Sequence, residues 1–326
     1  MANIVFEGKR YVCEDGKSVL ETLLAHGLAV AYSCGSGTCQ TCMLRLAAGA
    51  APAAAQAGLK DTLRVQGYFL PCVCHPQGDL EIARPDAALT RIEAVISHIT
   101  PLSADVVCVG LNCGQPLHYR PGQFINLFKD ETTARSYSLA SVAADGELRL
   151  HVRRFAHGQV SPWIHHELQT GDLVKLTPPT GNCFYLPGNP DQPLLLIGTG
   201  TGLAPLYGIV RDALLQGHRG PIHLYHGSRD RDGLYLVEQL QAMRRQHANF
   251  HYRPCLSGDE VPDGFAAGRA LDVALAESPD LAGWRIFLCG HPEMVKTARK
   301  RAFLAGAAMR DIFSDAFSHA ATFASR

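Results

Sequence analysis

Four cysteines, Cys34, Cys39, Cys42 and Cys72, stand as C-x4-C-x2-C with a lone C about 30 residues further on. Thiolates in that pattern are a ligand set for a [2Fe–2S] cluster, which carries electrons one at a time. The segment SCGSGTCQTC at 33–42 is made of small residues. A loop around two irons must turn backbone N–H groups onto the bridging sulfides, and Gly35 and Gly37 allow the dihedrals this needs. The fourth ligand arrives in GYFLPCVCHP at 67–76, where Cys72 and Cys74 compete for one place. Two plainer readings exist. Cys39 and Cys42 could be half of a zinc site completed by Cys72 and Cys74, but that leaves Cys34 unused and puts C-x-C where a second C-x2-C is expected. Disulfides suit a secreted chain, and nothing here marks one.

A second group of residues suits a flavin. Arg135, Ser136, Tyr137 and Ser138 form R-x-Y-S on a predicted strand after PGQF at 121–124. Arginine can pair with a pyrophosphate in a bidentate fork, tyrosine can lie against an isoalloxazine ring, and serine can meet its N5/O4 edge. Alone the pattern is weak, since a barrel tyrosine is commonly a core aromatic. It is joined by HVRRFAHGQVSPWI at 151–164, where His151 and Val152 lie on a strand and Gly158, Val160 and Ser161 open a helix whose free N–H groups suit phosphate. That second phosphate place favours FAD over FMN.

A third group suits a dinucleotide. Gly198, Thr199, Gly200, Thr201, Gly202 and Pro205 lie in GTGTGLAP, after the apolar run PLLLI and at the start of a helix. Glycines there let a diphosphate approach the backbone, although the third comes one residue too early for G-x-G-x-x-G. A tight strand-to-helix turn is the plain alternative. The next strand ends in His226-Gly227-Ser228-Arg229, where an adenosine ribose would sit. Ser228 and Arg229 could hold a 2′-phosphate, so NADPH stands beside NADH. Arg229 reads equally as a solvated charge. Cys289 and Gly290 end a later strand at a place suited to nicotinamide, and a buried core cysteine is the default there.

These groups need three kinds of scaffold. Residues 1–88 read as a small α+β unit: strands at 3–6 and 9–13 joined by Glu7-Gly8, a helix capped by Ser18 and ended by Gly27, and a cluster loop after 29–33. The Ala/Gly/Pro stretch at 47–58 reads as a surface connection, and 83–88 as a linker. Residues 89–188 read as an antiparallel flavin-binding barrel with strands at 91–99, 105–111, 123–128, 136–141, 147–154 and 172–177 and one helix at 160–168. Residues 189–326 alternate strands (193–197, 222–226, 250–255, 286–289, 311–313) with helices (203–216, 236–246, 270–276, 292–305). That alternation predicts a parallel sheet covered on both faces.

Bulk composition narrows the field. At 326 residues the chain exceeds one hydrophobic core. Lys plus Arg and Asp plus Glu are both 30, so no global field favours nucleic acid or an anionic membrane. There is no run of about 18 apolar residues for a membrane span, and the N-terminus lacks the apolar centre of a signal peptide. Eleven cysteines without such a signal suggest a reducing cytoplasm.

Along its whole length the chain resembles the reductase components of bacterial multicomponent oxygenases. These join an N-terminal plant-type ferredoxin domain of β-grasp fold to a ferredoxin–NADP⁺ reductase-like FAD and NAD(P) module. SCGSGTCQTC with GYFLPC resembles the family's cluster motif, in which the first cysteine of CVC is the ligand, which favours Cys72. RSYS resembles its flavin motif, GTGTGLAP its phosphate loop, and LAGWRIFLCGHPEM its nicotinamide-side motif. IFSDAF resembles its terminal segment, which implies that Phe317 lies near the flavin ring. Gln40 departs from the pattern: a small residue, mostly glycine, is usual there. The departure bears on packing beside Cys39 and on cluster potential, not on the ligand set. Nicotinamide gives two electrons as hydride, the cluster takes one, and a flavin can mediate between them. The expectation is transfer from NADH through FAD and [2Fe–2S] to an oxygenase component or a separate ferredoxin. Ser138 would orient N5, Cys289 would shape the pocket without acting as a nucleophile, and Phe317 would have to move for nicotinamide to stack. The oxygenase is expected to hydroxylate an aromatic compound. Alternatives are the reductase of a deoxysugar dehydratase, built from the same modules, and a redox-sensing binding protein.

Overall fold

The computed structural model describes residues 1–85, 91–115 and 117–317, and its strands there form three sheets. In the first, β1 (Ala2–Phe6) and β2 (Lys9–Cys13) make the hairpin that the alternation predicts. Its turn, Glu7-Gly8, has φ of 53° and 76°, the doubly positive geometry whose twist matches paired strands. Helix α1 (Val19–Ala25) begins with a reciprocal cap: the Ser18 hydroxyl accepts from the Glu21 N–H, and the Glu21 carboxylate accepts from the Ser18 N–H. Strands β3 (Leu44–Ala48), β4 (Tyr68–Phe69) and β5 (Leu80–Ala83) complete the order β2-β1-β5-β3-β4, with β5 parallel to β1. Ile4, Phe6, Leu20, Leu23, Phe69 and Ile82 share one core. The 47–58 stretch is less superficial than its composition suggests. Ala55 is fully buried and its carbonyl accepts the Leu70 N–H, and Leu59, just before helix α2 (Asp61–Val65), joins the core. Small side chains let this turn lie close against the chain leading to Cys72.

The second sheet is antiparallel: β6 (Ile92–Pro101), β7 (Val106–Cys113), β8 (Phe124–Phe128), β9 (Ala134–Ser138), β10 (Leu148–Arg153) and β11 (Leu173–Leu176), in the order β10-β7-β6-β11-β8-β9. An antiparallel bridge between Leu139 and Leu150 joins the two ends of that order into a barrel. Helix α3 (Ser161–His166) is shorter than the predicted 160–168, and Val160, Ile164 and Leu168 all enter the barrel core.

The third sheet is parallel throughout: β12 (Leu194–Thr199), β13 (Ile222–Ser228), β14 (Phe250–Leu256), β15 (Ala266–Ala267), β16 (Arg285–Gly290) and β17 (Ile312–Ala316), ordered β15-β14-β13-β12-β16-β17. Helices α4 (Leu203–Leu215) and α5 (Val237–Gln246) pack on one face, and α6 (Ala270–Glu277) and α7 (Pro292–Leu304) on the other. The chain reverses direction across the sheet between β12 and β16, which opens a crevice at their carboxyl ends. Two-residue β15 escapes the sequence pattern because it is too short to alternate. Among the described residues, no helix is long and apolar enough to cross a membrane.

Candidate functional site

The loop between α1 and β3 gathers the predicted thiols in two pairs. Cys34 and Cys39 hydrogen-bond each other, as do Cys42 and Cys72, and all but Cys34 are buried. Within each pair one thiol is driven down and its partner up. The bond from Cys39 takes Cys34 to about 3, and Cys42 lowers Cys72 in the same way. Further donors face these sulfurs: Ser36 N–H at 3.4 Å and Thr38 Oγ1 at 3.5 Å from Cys34 Sγ, and Thr41 Oγ1 at 3.1 Å from Cys39 Sγ. Gly35 and Gly37 have φ of 65° and 78°, and Gln40 also has positive φ, 59°. Cys74 lies instead in the core, its thiol pushed up to about 12 by burial.

Strand β9 brings the flavin motif against this loop. Arg135 NH1 donates to the Tyr32 carbonyl at 3.3 Å, and Tyr32 bridges to Thr133. The Ser136 hydroxyl is 2.7 Å from Asn126 Oδ1, and Asn126 Nδ2 is 2.8 Å from the Cys39 carbonyl. Two residues along β9, the Ser138 hydroxyl donates to Asp315 Oδ2 on β17 at 2.9 Å. Burial pushes the Asp315 carboxyl up to about 6, against the opposing pull of the Ser138 bond. Tyr137 is half-buried at the barrel core, whereas the side chains of Val152 and Val160 are fully inside it and leave only backbone for a ligand. A Cβ at Gly158 would lie 2.8 Å from Ser161 Oγ, so that turn is tight. His151 is buried against the Tyr235 hydroxyl, 3.1 Å away, and desolvation takes it down to about 3.

The crevice between β12 and β16 is made of backbone packed on backbone. A Cβ on Gly202 would come within 2.2 Å of the Cys289 carbonyl oxygen, and one on Gly290 (φ 123°) within 2.5 Å of Thr199 Oγ1. Thr199 Oγ1 accepts the His291 N–H at 3.1 Å. Beneath the loop, His226 Nε2 lies 3.1 Å from the Gly200 carbonyl, which only accepts, so Nε2 carries the proton. Desolvation holds His226 down at about 4, and its buried Nδ1 meets no partner among the described residues. Cys289 is buried, its Sγ 3.6 Å from that of Cys183, and burial holds its thiol far above the usual range, so it is no nucleophile. The Phe317 N–H donates to the Gly290 carbonyl at 2.8 Å, next to the crevice. Ser228 is half-buried and Arg229 exposed, at the end of β13.

Three family models match separate stretches of the chain. Residues 4–77 match the 2Fe-2S iron-sulfur cluster binding domain, 93–185 the oxidoreductase FAD-binding domain, and 196–300 the oxidoreductase NAD-binding domain. The chain is 35% identical to the reductase subunit of an aromatic O-demethylase from Amycolatopsis, over 90% of this chain and 91% of that one. It is 31% identical to the ferredoxin–NAD(P)⁺ reductase component of a naphthalene 1,2-dioxygenase system from Pseudomonas putida, covering 93% and 94%. The crystal structure of an Amycolatopsis cytochrome P450 reductase superposes with a TM-score of 0.70 at 31% identity, over 97% of this chain and 99% of that one. The chain belongs to the family of oxygenase reductase components. It is an NAD(P)H-dependent oxidoreductase with [2Fe–2S] and FAD as its cofactors.

The site of this reductase fits those groups. Among the described residues no three His, Cys, Asp or Glu side chains converge on one point, as a single zinc ion would require. Two thiol pairs are what two irons linked by sulfides need. The flavin strand presents serine, tyrosine and arginine together, and the crevice keeps glycine where any Cβ would close it. Sequence reasoning missed three residues of this reductase. Asp315 lay within the quoted IFSDAF, but nothing local says that it meets Ser138, 177 positions away. Asn126 reads as an ordinary polar residue of an alternating strand. His226 was quoted only as part of a strand end.

Proposed function

We propose that this reductase component takes electron pairs from NADH and delivers them singly, in the cytoplasm, to the oxygenase component of an aromatic-hydroxylating system. The observation that carries the reading is the position of β9. Ser136 faces the cluster loop through Asn126, and Ser138, two residues on, faces the nicotinamide-side crevice through Asp315. One strand therefore touches both the two-electron and the one-electron ends of the path.

FAD held there would supply the change from two-electron to one-electron chemistry that links a nicotinamide to an iron–sulfur cluster. The chain's own residues supply the rest. The loop at 198–202 would hold the coenzyme diphosphate on its backbone N–H groups, and His226 holds the Gly200 carbonyl by a hydrogen bond. Asp230, just past β13, is held by the Gly233 N–H at 3.1 Å, and a carboxylate there favours a ribose 2′-hydroxyl over a 2′-phosphate. Ser138 and Asp315 would form a proton path: the Ser138 hydroxyl donates to the Asp315 carboxylate, which would hold a proton passed along that bond. Cys34, Cys39, Cys42 and Cys72 are the proposed iron ligands. Phe317, hydrogen-bonded at the crevice edge, is the residue that yields to nicotinamide.

The partner is proposed to dock on the exposed side of the cluster loop, where Ser36 and Thr38 face solvent. The test is NADH-driven turnover with purified oxygenases and substituted benzenes as substrates. Coupled product formation is expected, whereas reduction of ferricyanide alone, with no oxygenase accepting electrons, sinks the proposed partner. A second reading is favoured by one relative: a CDP-6-deoxy-L-threo-D-glycero-4-hexulose-3-dehydrase reductase from Yersinia pestis is 28% identical over 93% of this chain. Turnover with a dehydratase and not with oxygenases would select it.

A further inference from the structure

We infer that Asn126 is the positioning residue that sets the single-electron step between the flavin strand and the cluster. The inference rests on the electron-delivery reading above and deepens it. Ile125 and Leu127 on either side of Asn126 enter the barrel core, so the Asn126 side chain points to the opposite face of β8. A barrel's outer face is normally wet, yet Asn126 is 1% exposed, because the cluster loop covers it.

Every hydrogen-bonding position of its amide is used. Nδ2 donates to the Cys39 carbonyl at 2.8 Å and to Thr177 Oγ1 at 3.3 Å. Oδ1 accepts from Ser136 at 2.7 Å and from Thr41 at 2.9 Å. The Cys39 carbonyl can only accept, so the amide has one orientation. Ser136 lies directly across the strand pair from Asn126, which places both side chains on one face. The result is a short chain of bonds from the flavin motif (Ser136), through Asn126, to the residue whose sulfur is an iron ligand (Cys39). Thr41 adds a second leg. Its hydroxyl has one proton and two acceptors, Asn126 Oδ1 and, at 3.1 Å, Cys39 Sγ. Electron tunnelling weakens exponentially with separation. A buried amide that clamps both sides therefore fixes the quantity on which the rate depends most, while Ser138, proposed to serve the hydride step, lies at the other end of β9 and makes its bond to Asp315 instead.

The test is anaerobic stopped-flow reduction of the holoenzyme by NADH, following flavin and cluster separately, with hydrogen exchange over residues 34–42 and redox titration of the cluster. Asn126→Ala is expected to leave flavin reduction within about twofold, slow cluster reduction at least about tenfold, and speed exchange in the loop. Thr41→Val keeps the volume and is expected to shift the cluster potential downward, because a donor to a ligand sulfur stabilises the reduced cluster. A fully loaded Asn126→Ala with wild-type cluster reduction and exchange overturns the inference, as does equal slowing of both steps. Should Asn126→Ala fail to hold its cluster, Thr41→Val decides by exchange: faster exchange over residues 34–42 with unchanged flavin reduction supports the clamp, and wild-type exchange refutes it. Wild-type protein whose flavin reduces while its cluster stays oxidised overturns the electron-delivery reading itself, an outcome separate from any variant.

Discussion

The cluster loop and the nucleotide loop both carry glycines at short intervals and both hold glycine at positive φ (Gly200 at 54° in the second), but the nucleotide loop also uses a glycine for room. At 33–42 glycine supplies backbone conformation: Gly35 and Gly37 have positive φ, and the nearest atoms to a Cβ on Gly37 would be those of the Val73 side chain, at 3.1 Å. At 198–202 the critical glycine supplies room. Gly202 has φ of −58°, which any residue adopts, but its missing Cβ is occupied by the Cys289 carbonyl. Conformational strain can be borne by a neighbouring bond, whereas an atom already present cannot be displaced cheaply. The nucleotide loop should therefore tolerate change far less than the cluster loop.

Gly202→Ala is the largest test of that difference. A methyl 2.2 Å from the Cys289 oxygen and 2.6 Å from its carbon must push β16 away from the loop, since both obstacles are backbone. NADH-dependent flavin reduction is expected to fall more than about 100-fold, on the scale of overpacking at a site that tolerates little displacement, with the visible cluster spectrum retained. Near-normal reduction would show that the loop is softer than its packing implies. A milder change at the same loop is His226→Ala, which removes the donor from the half-buried Gly200 carbonyl. Loss of one hydrogen bond costs about 0.5–1.5 kcal/mol, so KM for NADH is expected to rise severalfold, at most about tenfold, with the flavin-to-cluster step unchanged.

How much of this was visible in the chain depends on the range of each interaction. The cysteine spacing, the Ser18–Glu21 cap and the Glu7-Gly8 turn are local, and they appear in the structure as their spacing suggests. The burial of Asn126 on β8 has no local signal, because its cover comes from a loop 87 positions earlier. Asp315 and Ser138 are likewise brought together only by the packing of two domains. Ala55 read as part of a surface connection because burial of a short turn leaves no period in the sequence. The chemistry of single sites was legible, and the bonds between domains were not.

Asp315 carries the pH test. Its carboxyl is raised by burial from 3.8 to about 6, so the folded chain binds this proton more tightly than the unfolded chain. Stability from this group is therefore full below about pH 4 and is lost as pH rises through 6. Asp315→Asn removes that loss, and its stability relative to wild type is expected to rise with pH across the window. In turnover, the wild type should show an apparent pKa near 6 in delivery of the second electron, which the variant lacks. If the profile persists unchanged in Asp315→Asn, the proton leaves by another route.

The smallest expected effect lies in the cluster loop, at the position where the family usually has glycine. Gln40 holds φ of 59°, and left-handed geometry costs an L residue roughly 1–2 kcal/mol. Its side chain offsets part of this by donating to the Gly58 carbonyl at 3.2 Å, a partly exposed bond contributing about 0.5 kcal/mol. Gln40→Gly relieves the strain but loses that bond and adds about 0.5–1 kcal/mol of unfolded-chain entropy. The three contributions nearly cancel, so thermal unfolding of the holoprotein should show a change within about 0.5 kcal/mol. Gln40→Ala keeps the strain and loses the bond, and should destabilise by about 0.5–1 kcal/mol. If instead Gln40→Gly stabilises by more than about 1 kcal/mol, the Gly58 bond contributes nothing, and the loop bears its strain without compensation.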